Sequence, residues 1–330
     1  MWNKFKNLFQ NKDFQPQKEL SFTDNIQQNH KILKKQFENV DDMNFRKFTM
    51  TDTSGTDIEL ELIFITDLID SETINNNIIN PLLLEQRDAE IHFSQKGDDI
   101  DQVIREKIIS VQHISKITDI NQAINEILQG KSLLLINNAK YALSISTQGW
   151  EERSVSMPNV ERTIRGPQDA FMENIKVNVG LVRRRVKSKD LKVTSFTKGK
   201  HSQTRIDVMY LDGIADDNIV KEVKKRIKSI NVGQIIGCMQ VLELIEDNPT
   251  SLFNTIYETE RPDIVAGGIQ EGRIAILTDG CPSALLVPKL FVENFISPAD
   301  YYFRFWFTLG LRGMRFLAYL ISTILPAFYV

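Results

Sequence analysis

The stretch FITDLIDSETI, residues 64–74, has a counterpart in YLDGIADDNIV, residues 210–220. Each begins as an apolar strand and continues into a helix that opens at an aspartate, a residue type that caps helix N-termini. Further along, GKSLLLINNAKYAL at residues 130–143 aligns with GRIAILTDGCPSAL at residues 272–285. Both contain a dipeptide, Asn-Asn or Asp-Gly, that accepts positive φ and suits a tight hairpin. Two similar strand–helix units and two similar hairpins, in the same order, predict two related α/β subdomains.

The predicted fold class is α/β, with two related subdomains joined by a long helix and followed by the start of a transmembrane helix. At 330 residues the chain has the length of about two domains. We expect a polar N-terminal arm with one amphipathic helix at 1–50, subdomain I at 51–160, the linking helix at 161–190, subdomain II at 191–297, and an interfacial lead-in with an incomplete transmembrane helix at 298–330.

The linking helix is predicted from an apolar stripe that recurs at helical spacing. Its members are Phe171, Ile175, Val179, Val182 and Val186. Gly166 and Pro167 place a proline at the expected first turn, where its missing N–H costs nothing.

Three consecutive arginines, Arg183, Arg184 and Arg185, fall at the end of this helix. One interpretation is a solvated helix end favoured by the macrodipole. A second is contact with a partner subunit or with anionic lipid headgroups. Nucleic acid is disfavoured because the formal net charge is −3 and no aromatic residue is interleaved with the arginines.

The C-terminal run FLAYLISTILPAFYV, residues 316–330, carries no charge. As a helix it is roughly 22 Å long, against about 30 Å for the hydrocarbon core of a bilayer. The preceding YYFRFWFTLGLRGMR, residues 301–315, mixes aromatic residues with arginines, a pattern typical of an interfacial lead-in with arginines on the cytoplasmic side. We expect the chain either to continue beyond this point naturally or to be a truncated form of a longer membrane protein.

Motifs for catalysis and cofactor binding are missing from the sequence. It contains no GxGxxG, GxxxxGK[ST], HExxH or GxSxG pattern, so no catalytic residue and no cofactor is assigned. Its four histidines lack metal-ligand spacing, which argues against a zinc site. The two cysteines, Cys238 and Cys281, form no CxxC pair and predict no disulfide framework.

Several blocks together resemble the A subunits of the nutrient germinant receptors of bacterial endospores, the GerA family. They are ISTQGWEERSV from residue 145, IRGPQDAFMENIKVNVGLVRRRVKSKDLKV from 164, VMYLDGIADDNIVKEVKKRI from 208, LIEDNPTSLFNTIYETERPDIVAGGIQEGRIAILTDG from 244, and SPADYYFRFWF from 297. Thr66-Asp67 departs from the family's usual Asp-Gly pair after the first strand, and Cys281-Pro282 departs from its usual Thr or Ser before Pro.

The resemblance implies two α/β subdomains on the cytoplasmic (spore core) side of the spore inner membrane, followed by a bundle of membrane helices. It implies assembly with a transporter-like B subunit and a lipoprotein C subunit, self-association, contact with membrane lipid at the C-terminal end, and a response to amino acids, sugars or nucleosides. The sequence does not specify the germinant, and we expect no nucleic acid partner.

We therefore expect a receptor subunit that senses or transmits the nutrient signal, which would reach the membrane through SPADYYFRFWF. The alternatives are an assembly scaffold with no ligand of its own and, more remotely, an α/β enzyme using strand-end carboxylates. The candidate ligand-binding positions are Arg165, Asp212, Gly213, Asp279 and Gly280. For each of them, hairpin geometry, packing or an ion pair is a competing explanation.

Overall fold

In a computed structural model, the chain folds into two successive lobes. The first is formed by the elements from residue 26 to residue 145 and the second by those from 175 to 287. The described residues are 20–51, 57–84, 113–149, 161, 166–247, 251 and 253–328.

The first lobe begins with a helix and then alternates strands and helices. Its elements are α1 (Ile26–Gln36), β1 (Met43–Thr51), β2 (Asp57–Ile65), a 3-10 turn (Thr66–Leu68), α2, β3 (Ile114–Ile117), α3 (Ile120–Leu128), β4 (Ser132–Ile136) and β5 (Ala142–Ile145). Helix α2 consists of Ser71–Ile74, a π-helical turn Asn75–Ile79 and Asn80–Leu84.

The second lobe repeats this arrangement. Its elements are α4 (Ile175–Arg185), β6 (Leu191–Lys198), β7 (Thr204–Leu211), α5 (Asp217–Ser229), α6 (Cys238–Ile245), β8 (Tyr257–Thr259), α7 (Pro262–Gln270), β9 (Ile274–Thr278) and β10 (Ala284–Val287). Two 3-10 turns, Phe291–Phe295 and Pro298–Tyr302, lead into the C-terminal helix α8 (Phe305–Ala327).

Each lobe has a five-stranded antiparallel sheet, and the two sheets have the same topology. The strand order is β1-β2-β4-β5-β3 in the first lobe and β6-β7-β9-β10-β8 in the second. Every strand therefore has a counterpart at the same place in the other sheet, as the repeated sequence blocks predict.

Helices cover both faces of each sheet. Alternate strand residues point to opposite faces, and apolar residues on both faces are buried by the helices. In β2, Leu60, Leu62 and Phe64 pack beneath α2, whereas Ile63 and Ile65 join the core formed with α1 and α3. The lobe thus has three layers, with one apolar core on each side of the sheet.

The second lobe has the same layers. In β7, Val208 and Tyr210 face α5 and α6, while Met209 and Leu211 face α4 and α7. Helix α4 occupies the position that α1 has in the first lobe, so it is the first helix of the second repeat.

This placement corrects the expected long linking helix at 161–190, because α4 is confined to Ile175–Arg185. The side chain of Asn174 accepts a hydrogen bond from the Lys176 amide at 3.0 Å and so starts the helix there. Phe171, although buried, precedes the helix, and its amide donates to the carbonyl of Glu260 at 2.8 Å. Gly166 and Pro167 therefore lie ahead of the helix in non-helical backbone.

The amphipathic helix expected in the N-terminal arm is α1, with Ile26 and Leu33 buried as the pattern predicts. The structure places it within the first lobe. It packs against the sheet, and β1 pairs with β2 along its whole length, from Met43 opposite Ile65 to Thr51 opposite Asp57.

A buried asparagine ties the start of α1 and of α4 to the preceding backbone in the same way. Asn29 donates to the carbonyl of Thr23 at 2.7 Å and accepts from its amide at 3.0 Å. Asn178 donates to the carbonyl of Met172 at 2.5 Å and accepts from its amide at 2.8 Å. The duplication therefore extends to individual hydrogen bonds.

The C-terminal helix α8 is long, and many of its large apolar side chains are exposed. Over the part of the chain that the structure describes, no helix reaches the combined length and apolarity of a membrane span. The transmembrane helix expected at the C-terminus accordingly stays a prediction.

The two cysteines differ from the sequence expectation. Cys238, at the start of α6, and Cys281, in the β9–β10 turn, form a disulfide. Residues 43 positions apart are brought together because α6 packs against the sheet beside this hairpin, a proximity that sequence spacing does not reveal.

Candidate functional site: a cleft between two lobes

A buried ion pair joins the two lobes. Arg183, in α4, donates from Nε and Nη2 to Oδ2 and Oδ1 of Asp42, both at 2.6 Å. The side chains are 2% and 1% exposed. A bidentate pair of this kind fixes orientation as well as distance.

Backbone contacts extend this junction along the sheet edges. Val40 forms a parallel bridge with Val193 in the edge strand β6. The Asp41 amide donates to the Val193 carbonyl at 3.0 Å, and the Ser195 amide donates to the Asp41 carboxylate at 2.8 Å. The segment ahead of β1 is thereby joined to β6 of the other lobe.

Helix α4 also meets the 3-10 turn that follows β2. A Cβ atom at Gly180 would lie 2.5 Å from the carbonyl oxygen of Asp67, too close for any side chain. The glycine therefore permits direct contact between the helix of one lobe and the turn of the other.

The Asp67 side chain at this contact is 1% exposed and belongs to a charged cluster. Its Oδ2 accepts from Arg205 Nη2 at 3.2 Å, and the same Nη2 lies 2.8 Å from Oδ2 of Asp207. Among the described residues, Oδ1 of Asp67 has no hydrogen-bond partner. Burial, assisted by the charge of Asp42, raises the pKa of Asp67 to about 6.

Beside this cluster the lobes enclose an open cleft of about 560 Å³. The first lobe contributes Thr66, Asp67, Ile69, Asp70, Ser71, Glu72, Gln148 and Gly149. The second contributes Asn174, Lys176, Val177 and Arg184, all from the α4 region. The acidic side chains thus lie on one wall and the basic side chains on the other.

The two walls suit a small solute with charges of both signs. On the acidic wall, Asp70 caps α2 by accepting from the amides of Glu72 and Thr73, and the Thr73 hydroxyl bond is the main cause that lowers its pKa. Glu72 on the same wall and Lys176 on the opposite wall are exposed, whereas the Asp67 side chain is buried. Over the described residues, no group of three or more His, Cys, Asp or Glu side chains is arranged to hold a metal ion.

The sequence-predicted Asp-Gly turns lie outside the lining of this cleft. Gly280 has φ of +77° in the β9–β10 turn, and its amide donates to the Glu173 carbonyl at 2.8 Å. Asp279 Oδ1 accepts from the Ile175 amide at 3.2 Å, so the turn secures the start of α4. The first lobe has the counterpart of the Gly280–Glu173 bond, since the Asn138 amide donates to the Asp24 carbonyl at 2.9 Å.

The other proposed ligand contacts have equally distinct positions. Asp212 and Gly213 form the exposed turn after β7, where Gly213 has φ of +78°. Arg165 lies outside the described residues. Ligand contacts by these residues and by Asp279 and Gly280 stay predictions.

The three arginines at the end of α4 have three different environments. Arg183 is buried in the interlobe ion pair, which corrects its assignment to a partner or lipid surface. Arg185 pairs with Asp169 and donates to the Leu181 carbonyl. Arg184 lines the cleft. Because successive helix residues point in different directions, a run of three like charges did not form one patch.

Asp67 and Lys176 are two of the cleft residues that sequence reasoning missed. Asp67 was noted only as a departure from the family pattern, although it occupies the repeat position of Gly213 in the other lobe. This difference between the two copies could have pointed to Asp67 as a functional residue, because a charged residue stands where the other copy has a turn glycine at the end of a strand.

Comparison with known proteins decides the family. The model of the family described as Bacillus/Clostridium GerA spore germination protein matches residues 31–330. The chain belongs to the GerA spore germination family. It is 36% identical over 273 residues to spore germination protein KA of Bacillus subtilis, covering 83% of this chain and 49% of that protein. It is 34% identical over 306 residues to spore germination protein B1 of the same organism, covering 92% and 61%.

A solved structure has a similar fold. The N-terminal domain of the A subunit of the Bacillus megaterium spore germinant receptor GerK3 aligns with a TM-score of 0.61 and 28% identity, over 83% of this chain and 99% of that one. The GerA-family chain described here spans about half the length of several relatives it matches, including 49% of protein KA. Its similarity to the GerK3 domain supports the α/β architecture of the two lobes.

In this GerA-family chain a second polar cluster joins the segment before α4 to the C-terminal helix. Arg261 is fully buried; it binds Asp263 at 2.7 Å and donates to the Pro167 carbonyl at 3.2 Å. The Tyr302 hydroxyl donates to Asp263, and the Tyr302 ring lies so close to Gly166 that a Cβ there would come within 2.7 Å of it. Burial, and to a smaller extent the hydrogen bond to Asp263, raises the pKa of Tyr302 to about 12.

Asp300 continues the connection to α8. Its buried carboxylate receives Arg315 at 2.7 Å and Arg312 at 3.1 Å, and Ser297 and Asp300 form a capping box. Burial opposes ionisation, but these hydrogen bonds outweigh it and lower the pKa of Asp300. The orientation of α8 is thereby fixed to the end of the second lobe.

Proposed function

We propose that this chain is the cytoplasmic, spore-core part of the A subunit of a nutrient germinant receptor in the spore inner membrane. Its task is to bind or transmit the nutrient signal that starts germination, and it is a receptor component rather than an enzyme. The observation that carries the proposal is the charged cleft between two related lobes in a chain of the GerA family. The receptor's B and C subunits and further copies of the chain are the proposed partners.

The ligand proposed for the cleft is a small polar nutrient that carries both an ammonium and a carboxylate group. The ammonium group would lie at the acidic wall, beside Asp70 and the exposed Glu72. The carboxylate would lie near Lys176, at the positive N-terminal end of α4. An amino acid meets both conditions, whereas a neutral sugar leaves the two charges unmatched.

Transmission is proposed to run through the segment before α4. This segment is residues 166–174. Asn174 lines the cleft at one end of it, and Pro167, near the other end, is held by Arg261. A change in lobe separation would move this segment against the Tyr302 ring, and Asp300 would carry the change to Arg312 and Arg315 in α8. This route deepens the expectation that SPADYYFRFWF connects the lobes to the membrane.

The scaffold alternative draws on one observation, the Arg183–Asp42 pair that fastens the lobes together. In that case the cleft would bind nothing, and the lobes would serve only to assemble the receptor. The enzyme alternative has no comparable support, because the relatives are spore germination proteins.

Thermal unfolding with a panel of amino acids, sugars and nucleosides tests the proposal. A compound at 100 times its dissociation constant should stabilise the native state by about 2.7 kcal/mol. Lys176→Gln should abolish the shift, and Lys221→Gln, on the exposed surface of α5, is the matched control. If no compound from a panel that activates the intact receptor shifts the transition, the cleft is not the sensor and the scaffold function is favoured.

A further inference from the structure

The second lobe carries an exposed apolar surface close to α8. We call it the aromatic shelf and define it by Phe253, Leu290, Phe291, Val292 and Phe295. The first four are 53%, 59%, 49% and 56% exposed. Contiguous apolar exposure of this kind marks an interaction surface.

Ring contacts make the shelf continuous with one side of α8. Phe295 packs edge-to-face against Phe316 and Tyr319, with ring centroids 5.5 and 5.2 Å apart. Phe291 lies 5.2 Å from Phe253 and 6.2 Å from Tyr319. Phe316 itself is 48% exposed and continues this apolar surface along α8. The shelf thus extends the apolar side of α8 onto the body of the lobe.

Within the segment that forms most of the shelf and α8, the exposed charged side chains are basic. From residue 289 to residue 330 the sequence contains two acidic residues, Glu293 and Asp300. Glu293 is 10% exposed and pairs with Arg273, and the Asp300 side chain is fully buried between α8 arginines. Arg304 is exposed, and Lys289 lies beside the shelf with its Nζ 5.7 Å from the Tyr257 ring.

We propose that the aromatic shelf inserts into the headgroup region of an anionic lipid bilayer, so that the second lobe itself contacts the membrane beside α8. Phenylalanine and leucine are among the apolar residues that membrane-surface segments bury at the boundary between the headgroups and the acyl chains. Exposed cations with buried, paired acids match anionic lipid. The contact is independent of any ligand in the cleft, so it goes beyond the function proposed above.

A fluorescent label at Val292 tests this contact. The disulfide of Cys238 and Cys281 leaves a cysteine introduced by Val292→Cys as the reactive thiol among the described residues. The 330-residue chain is labelled with an environment-sensitive dye and added to phosphatidylglycerol–phosphatidylcholine vesicles that contain headgroup-labelled quencher lipid. We expect blue-shifted emission and quenching at position 292. Ile236→Cys, at an exposed apolar residue away from the shelf, should show neither change.

Two results would overturn the proposal. If a label at Leu317→Cys in α8 is quenched while the label at 292 is unaffected, only the helix meets lipid. If the emission at 292 shifts without vesicles and in proportion to protein concentration, a second copy of the chain covers the shelf instead. As an independent measure, Leu290→Ser with Val292→Ser should lower the vesicle-bound fraction severalfold relative to Ile236→Ser.

Discussion

Arg183 and Asp42 face each other across the two lobes, joined by two parallel 2.6 Å hydrogen bonds and almost completely removed from solvent. A buried pair gains little net stability over apolar residues of the same shape, since both charges lose their hydration. Its value lies in specificity: an arginine fork and a carboxylate match in one orientation. The pair therefore sets how the lobes meet.

Asp42→Ala should destabilise the chain strongly, because it leaves the Arg183 charge buried without its partner. We expect a loss of about 3–5 kcal/mol in the free energy of unfolding, measured by chemical denaturation. Asp169→Ala, which removes the half-buried partner of Arg185, should cost less than about 1 kcal/mol. Equal losses in the two variants would contradict the special role of the interlobe pair.

Gly180→Ala should weaken the contact between α4 and the turn at Asp67. The added methyl group would overlap the Asp67 carbonyl, and overpacking of this kind costs about 1–3 kcal/mol. Gly267→Ala, in α7, has no atom within 4 Å of the added Cβ and should stabilise by up to about 1 kcal/mol through helix propensity. Opposite signs of the two changes are the diagnostic result; a stabilised Gly180→Ala would rule out the close contact.

Asp67 should make stability depend on pH between about 4 and 6. Its folded-state pKa, about 6, lies above the ordinary value of 3.8, so over this interval the folded state binds more protons than the unfolded state. The free energy of unfolding must then fall as pH rises. Asp67→Asn removes this dependence, and its stability relative to the parent chain should increase by about 2 kcal/mol from pH 4 to pH 7. A difference that does not change with pH would argue against the raised pKa.

Asp279 should prove structural. Asp279→Ala removes the acceptor for the Ile175 amide and should cost about 1 kcal/mol, comparable with the loss of a helix cap. Asp279→Asn retains an acceptor, as does Asn137 at the equivalent position of the first lobe, and should be nearly neutral. Ligand-induced thermal shifts should persist in both variants; their loss in a stable Asp279→Asn protein would instead indicate a ligand contact.

Tyr302 should couple the second lobe to α8. Tyr302→Phe removes one hydrogen bond from Asp263, at a cost of about 1–2 kcal/mol. Backbone amides of residues 299–302 should exchange with deuterium faster, because the segment loses a fixed contact to the lobe. Tyr301→Phe, whose ring is exposed, is the control. Unchanged exchange in Tyr302→Phe would mean that the Asp300 cluster alone holds this segment.

The sequence contains the duplication in a form that can be read directly, because matching blocks fold into matching elements. The hairpins at 130–143 and 272–285 are examples, and their glycines have the same role. Gly130 and Gly272 have φ of +82° and +93°. A Cβ at Gly130 would lie 3.0 Å from the carbonyl oxygen of Leu68, and a Cβ at Gly272 would lie 3.0 Å from the carbonyl oxygen of Ile214, the residue equivalent to Leu68. Local backbone demands of this kind leave a mark on local sequence.

The duplication also includes the first helix of each lobe. FTDNIQQN at 22–29 and FMENIKVN at 171–178 share a phenylalanine, an isoleucine and two asparagines at the same spacing. The basic end and apolar stripe of the second copy favoured an independent linking helix. The matched asparagines carry more information, since a buried amide must satisfy its hydrogen bonds in a defined geometry.

The interlobe cluster could not be predicted. Arg183 and Asp42 are 141 residues apart, and neither has a local pattern that requires the other. Arg205 and Asp67, separated by 138 residues, are similar. Contacts between lobes depend on how the surfaces of two folded lobes meet. The residues that form them follow no periodic pattern in the sequence, so a single sequence does not reveal them.

The attachment of α4 to the β9–β10 turn also constrains the order of folding during synthesis. The Ile175 amide bonds to Asp279, 104 residues later, so the first helix of the lobe receives this support only after its last hairpin has emerged from the ribosome. Pairings of high sequence separation slow folding because a long loop must close before they form. The first lobe meets the same condition at Asn138, before synthesis of the second lobe is complete. We therefore expect the two lobes to complete their folding one after the other during synthesis. The surface that the first lobe buries against the second stays exposed until the second lobe has folded.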